Sequence, residues 1–198
     1  MSASPPDGAS RNAAAILSAA ARSLQNVVSL AETVERAAAV VAQSLRDGGK
    51  VFFCGNGGSS ADSQHLAGEF LGRFLIERPS WAAIALPANI AAMTAIGNDY
   101  GYEEVFARQL RGLGRRGDVL IGISTSGRSA NVLKALTAAR EMEIHAIGLT
   151  GPKESPMDAL TDLILRAPAA STPRIQEMHI VIGHTICELV EVELTRSG

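Results

Sequence analysis

Val51-Phe52-Phe53-Cys54-Gly55-Asn56-Gly57-Gly58-Ser59-Ser60-Ala61-Asp62-Ser63-Gln64-His65-Leu66-Ala67-Gly68-Glu69 is the stretch that decides how this chain is read. Its opening residues form an uninterrupted apolar run, the pattern of a strand covered on both faces. A turn of glycines and small polar residues follows, and a helix takes over from about residue 58. Such a turn presents free backbone N–H groups and the positive end of a helix dipole, which suits an anionic ligand. His65 and Glu69, four residues apart, share one face of that helix. A binding loop and an acid–base pair in one segment point to an enzyme that works on a small anionic molecule.

Outward from this segment, short apolar strands alternate with helices. The strand candidates are 51–54, 82–86, 119–124, 145–149 and 163–165. Helical patterning covers 58–73, 88–97, 102–113, 129–142, 155–160 and 173–195, and residues 11–48 read as one long or two consecutive helices stopped by Asp47-Gly48-Gly49-Lys50. The alternation predicts an α/β fold: a three-layer α/β/α sandwich around a doubly wound, mainly parallel five-stranded sheet. A chain of 198 residues suits one domain, 12–198, behind a tail over 1–11 that is expected to be disordered. The last helix is apolar on several faces, including Ile175, Met178, Ile180, Ile182, Ile186 and Leu189, which predicts burial in the core or between subunits.

Composition narrows the functional classes. The net charge of −2 leaves no broad basic surface, which argues against nucleic acid as the main partner. No segment has the length of a membrane span or the order of a secretory signal, so a cytoplasmic protein is expected. Aromatic residues make up only 4%, so aliphatic side chains must build the core. Cys54 and Cys187 lie in apolar surroundings without metal-type spacing and read as buried thiols.

A second loop follows the strand at 119–124. Ser124-Thr125-Ser126-Gly127-Arg128-Ser129 places four hydroxyls in six residues before a helix resumes. Hydroxyls and free backbone N–H groups together suit a phosphate. A serine-rich turn that merely caps a helix is the bland alternative, but four hydroxyls exceed what one cap requires. Neither G-x-x-x-x-G-K-[ST] nor G-x-G-x-x-G is present, so no nucleotide is expected. Both loops belong at the carboxyl ends of strands, where open parallel sheets bind ligands.

Taken with Gly97-Asn98-Asp99-Tyr100-Gly101-Tyr102 and Arg174-Ile175-Gln176-Glu177-Met178-His179, the two loops resemble the phosphoheptose isomerase branch, also called sedoheptulose-7-phosphate isomerase, of the sugar isomerase (SIS) domain family. The resemblance runs from about residue 12 to 195. It implies an aldose–ketose isomerase that converts sedoheptulose 7-phosphate into D-glycero-D-manno-heptose 7-phosphate through an enediol or enediolate. That reaction opens the route to nucleotide-activated heptose for lipopolysaccharide or another glycoconjugate. The resemblance also assigns positions. Glu69 and His184 take the catalytic roles of base and partner acid–base group. Asn56, Gly57, Gly58, Ser59, Ser60, Glu69, Asn98, Asp99 and Gln176 contact the sugar, and Ser124, Thr125, Ser126 and Ser129 cradle the phosphate. His65, Glu69, Gln176 and His184 hold one zinc ion per subunit. A homotetramer with active sites near subunit interfaces is implied, with Glu69 and His184 of one site from different chains or close to a subunit boundary.

Each residue has a plain structural alternative when taken singly. Glu69 could be a solvated helix residue, His65 a helix-face residue with a satisfied hydrogen bond, and His184 a buried histidine among isoleucines. Their joint occurrence at matching positions favours chemistry. A glutamate that ligates zinc is less available as a base, so the two roles of Glu69 compete. His179 reads as structural, His145 has no assigned role, and Trp81 and Tyr102 read as core. Thr172-Pro173 stands where many members carry an acidic residue shortly before Arg-Ile-Gln-Glu. That departure keeps open an isomerase of another phosphosugar. A further alternative is a non-catalytic SIS tetramer that binds the replication initiator protein; such relatives tend to lose the catalytic glutamate and histidine, which are present here.

Overall fold

The computed structural model describes residues 12–196; the tail expected over 1–11 lies outside the described residues. Five strands, β1 (Val51–Gly55), β2 (Ala83–Ala85), β3 (Val119–Ser124), β4 (His145–Thr150) and β5 (Leu163–Arg166), form one sheet in the order β2-β1-β3-β4-β5. Every neighbouring pair is parallel, and a single register line runs through Ala85, Phe53, Ile121, Ile147 and Leu163. The sheet is therefore wholly parallel, as expected for strands joined through helical crossovers.

The helices are α1 (Ala13–Gln25), α2 (Ala31–Arg46), α3 (Gly58–Leu71), α4 (Ile90–Tyr100), α5 (Ala107–Leu113), α6 (Ala130–Glu141) and α7 (Thr172–Arg196). Strand pleating divides the core in two. Val51, Phe53, Ile121, Ile123, Ile147 and Leu149 enter one face beneath α2, α3 and α7. Phe52, Cys54, Leu120 and Ala146 enter the other beneath α5 and α6. That is the three-layer sandwich, and it explains the uninterrupted apolar strands: side chains on both faces need cover. Cys54 and Cys187 are buried free thiols, and burial pushes both up to about 12.

Of the two forms expected before Asp47, the chain takes the second: two helices, α1 and α2, joined by a 3-10 turn, Asn26–Leu30. Two elements differ from their sequence patterns. The helix expected over 102–113 starts only at Ala107, because Gly101 takes a φ of 92° and a 3-10 turn covers Tyr102–Glu104. Residues 155–160 make a 3-10 turn, Pro156–Leu160, closed by a reciprocal capping box between Ser155 and Asp158. The chain then runs directly into β5 at Leu163.

Strand order sets the location of the site. The chain leaves β1 through α3 to β2, then returns to place β3 on the opposite side of β1. The carboxyl ends of β1 and β3 lie side by side, with Gly55 paired to Ile123. This is where the winding reverses, so the two loops singled out in the sequence flank one crevice.

Candidate active site

Gly57 takes a φ of 56°, a left-handed turn that lets α3 begin at Gly58. A Cβ on Gly58 would collide with the Gln176 amide, so the missing side chain leaves the room in which that amide sits against the loop. Asn56 and Asn131 exchange two amide hydrogen bonds of 2.8 Å, which tie the first loop to the start of α6. The Tyr102 hydroxyl donates to Asn56 Oδ1 at 3.2 Å. Tyr102 is thus 61% exposed at the crevice and not in the core, because the break at Gly101 turns it away from the helix it was assigned to. Ser59 is buried, and Ser60 is half-buried at the first turn of α3.

One turn deeper, His65 and Glu69 of α3 meet His184 of α7. The two Nε2 atoms of His65 and His184 lie 2.7 Å apart, and His65 Nε2 lies 3.3 Å from Glu69 Oε1. The Phe74 ring packs against His184 with centroids 5.4 Å apart. One chain supplies all three groups of this cluster. Asp62, which sequence reasoning passed over, stands a turn before His65. Burial raises its carboxyl above the ordinary range, while Gln176, His65 and His184 pull it back. Its only local signal was the three-residue spacing to His65.

The donor chemistry of this cluster fits a divalent metal. The ligand atoms of His65, Glu69 and His184 all lie within 4.8 Å of one another, and two imidazoles with a carboxylate are a suitable set. Ligand nitrogens around one tetrahedral zinc stand roughly 3.3 Å apart. The 2.7 Å separation here is that of a hydrogen bond, in which one imidazole donates to the other.

The second loop forms a hydroxyl cluster. Ser124 Oγ lies 3.0 Å from Ser129 Oγ and 3.5 Å from Ser126 Oγ, and Arg128 N–H donates to Ser126 Oγ at 3.2 Å. Ser129 occupies the N-cap of α6 yet makes no side-chain cap bond, so its hydroxyl is turned to the cluster. A Cβ on Gly127, which takes a φ of 63°, would collide with Ser155. A cleft of about 520 Å³ opens beside this loop, lined by Thr125, Ser126, Arg128, Lys153 and Ile175 among others. Ile175 faces this cleft while its neighbour Gln176 faces Gly58, so α7 borders both loops. Asn98 and Asp99 stand apart: both are exposed on α4, and the Asn98 amide donates to Asp99 at 2.8 Å.

The chain is similar to known proteins over most of its length. The model of the SIS domain family matches residues 16–151. A phosphoheptose isomerase of Rhodospirillum rubrum is 55% identical over 161 residues, 81% of this chain and 86% of that protein. One from Helicobacter hepaticus is 49% identical over 177 residues, covering 89% and 90%. The structure of a phosphoheptose isomerase from Neisseria gonorrhoeae superposes with a TM-score of 0.85 at 44% identity, covering 90% of this chain and 96% of that one. With sequence and fold in agreement over nearly the whole chain, this protein belongs to the phosphoheptose isomerase family of SIS-domain proteins.

Proposed function

We propose that this chain converts sedoheptulose 7-phosphate into D-glycero-D-manno-heptose 7-phosphate. The observation that carries the reading is the convergence of Glu69, His65 and His184 beside a crevice that also holds a hydroxyl-rich loop. The Ser124, Thr125, Ser126 and Ser129 loop takes the phosphate at the N-terminus of α6. Asn56, Ser60 and Gln176 hold the sugar's oxygens, and Asp99 joins them if a neighbouring subunit or a movement of α4 brings it in.

Glu69 removes the proton from C1 of the ketose and returns it to C2, so that the electron pair passes through an enediolate. His184 exchanges protons with the two oxygens, and its contact with His65 holds one nitrogen oriented for that exchange. Zinc held by His65, Glu69, Gln176 and His184 would supply Lewis-acid stabilisation of the developing oxyanion. Residues 12–198 act as one SIS domain in a cytoplasmic homotetramer whose active sites lie near subunit boundaries. Both Glu69 and His184 are present and converge, which disfavours a purely non-catalytic binding module.

Identification of the product from a panel of ketose phosphates tests the reading. In heavy water the aldose should carry deuterium at C2 in the fraction of turnovers in which the Glu69 carboxyl exchanges its proton with solvent before returning it. Glu69→Gln keeps the shape and removes the base, so kcat should fall by about 10²–10⁴ while substrate binding persists. Near-normal turnover by that variant, or no turnover of any ketose phosphate by the wild type, would overturn it.

A further inference from the structure

The chain leaving α3 is fastened by charges that lie outside the proposed reaction centre. Glu191, on α7 two turns past His184, accepts hydrogen bonds from the backbone N–H groups of Phe74 (3.0 Å), Leu75 (2.6 Å) and Ile76 (2.8 Å). Arg78 Nε donates to the same carboxylate at 3.0 Å. The Arg78 guanidinium also caps the end of α3, donating to the carbonyls of Glu69 at 2.8 Å, Phe70 at 3.0 Å and Gly72 at 3.2 Å. Its plane stacks on Trp81, 3.6 Å from the ring centroid. The two side chains are only 3% and 1% exposed. Burial raises the Glu191 carboxyl, but the three N–H groups and Arg78 outweigh it and hold it below the ordinary range.

A buried ion pair is weak support for stability, since apolar side chains of the same volume can serve as well. What this pair supplies is geometry. Arg78 grips the carbonyl of Glu69 itself. Glu191 grips the N–H of Phe74, whose ring packs on His184. One ion pair therefore bears on both helices that carry the cluster. We infer that Arg78 and Glu191 are positioning residues, which lock α3 against α7 in the register that brings Glu69 and His65 to His184. The inference rests on the catalytic roles proposed above for Glu69 and His184.

Two variants and a control test it. Glu191→Gln replaces one acceptor oxygen with an NH₂ group that cannot receive a backbone N–H. Arg78→Lys keeps the charge and loses the planar fork that reaches several carbonyls at once. Each should lower kcat by roughly 10–100-fold with KM changed less than about threefold, because the hydroxyl loop sits on other elements. Leu110→Ala, in the core on the opposite face of the sheet, should lower the melting temperature at least as far as either clamp variant does, yet leave kcat within about twofold. The inference is overturned if the two clamp variants behave like Leu110→Ala.

The wild type supplies a readout that no folding defect can obscure. The amides of Leu75 and Ile76 should exchange with solvent as slowly as those inside α3; rapid exchange would overturn the clamp. In protein carrying ¹³C-histidine, the ring contact between His65 and His184 should be present in the wild type and weakened in both clamp variants. If the wild type isomerises nothing yet shows that pattern, the functional reading fails while the clamp stands. If turnover is normal and the ring contact survives in the variants, the clamp fails alone.

Discussion

Two histidines five residues apart on α7 are held under opposite conditions. His184 lies half-buried at the crevice against His65. His179 is 1% exposed, its Nε2 is 3.1 Å from the Thr150 carbonyl oxygen, and its Nδ1 is buried without a partner. Burial pushes His179 down from 6.5 to about 4, although the carbonyl contact favours the charged ring. The native state therefore refuses a proton that the unfolded chain accepts below pH 6.5. The sign follows: no effect at neutral pH, a growing loss of stability as pH falls from 6.5 towards 4, and no further loss below that. The full effect is about 3 kcal/mol. Denaturant unfolding at stepped pH should show this loss in the wild type and lack it in His179→Gln. The cluster proposed as active was legible because His65 and Glu69 share a visible helical spacing. Arg78 and Glu191 were not, since their contact spans 113 residues of sequence and no local pattern announces it.

Among the elements, the loop between β3 and α6 carries a clear expectation. The hydroxyls of Ser124, Ser126 and Ser129 cluster together, and Ser129 is not spent on capping. Replacing Ser124 and Ser126 with alanine should weaken binding of the phosphorylated sugar by roughly 1.5–3 kcal/mol per lost bond. The dephosphorylated sugar should be almost unaffected, and calorimetry with both ligands separates the cases. Equal weakening would make the loop a structural turn. Strands were legible because both faces of each are covered, which leaves an unbroken apolar run. The 3-10 turns at Tyr102–Glu104 and Pro156–Leu160 were not, since a glycine's sign of φ and a side-chain cap override an apolar pattern that looks helical.

On the scale of the whole molecule, α1 is an amphipathic helix with no buried residue. Ile16 is 53% exposed and Leu17 69%, and Val28 in the turn that follows is 72% exposed. Beside them lies an apolar hollow between the start of α2 and α7, lined by Val27, Val28, Ala31, Val181 and Leu189 among others. Exposed apolar surface of this kind calls for a partner, and the proposed tetramer provides one. Light scattering should give close to four times 20.7 kDa. Leu17→Glu with Val28→Glu should shift the mass towards smaller species, and a wild-type monomer at micromolar concentration would defeat the assembly. The apolar character of α7 was visible in the sequence, but which part serves the core and which a neighbour was not.

The sheet also partitions labour. The groups proposed for proton transfer belong to α3 and α7 on one face, whereas the hydroxyl loop opens α6 on the other. The crevice at the ends of β1 and β3 joins them. On the roles proposed above, anchoring and chemistry sit in different layers with separate cores, so substitutions beneath one layer should leave the shape of the other intact. A library that varies residues beneath α6 should yield altered phosphosugar preference at undiminished turnover more often than one that varies residues beneath α3. Under those roles, phosphosugar preference and turnover rest on two separately packed layers.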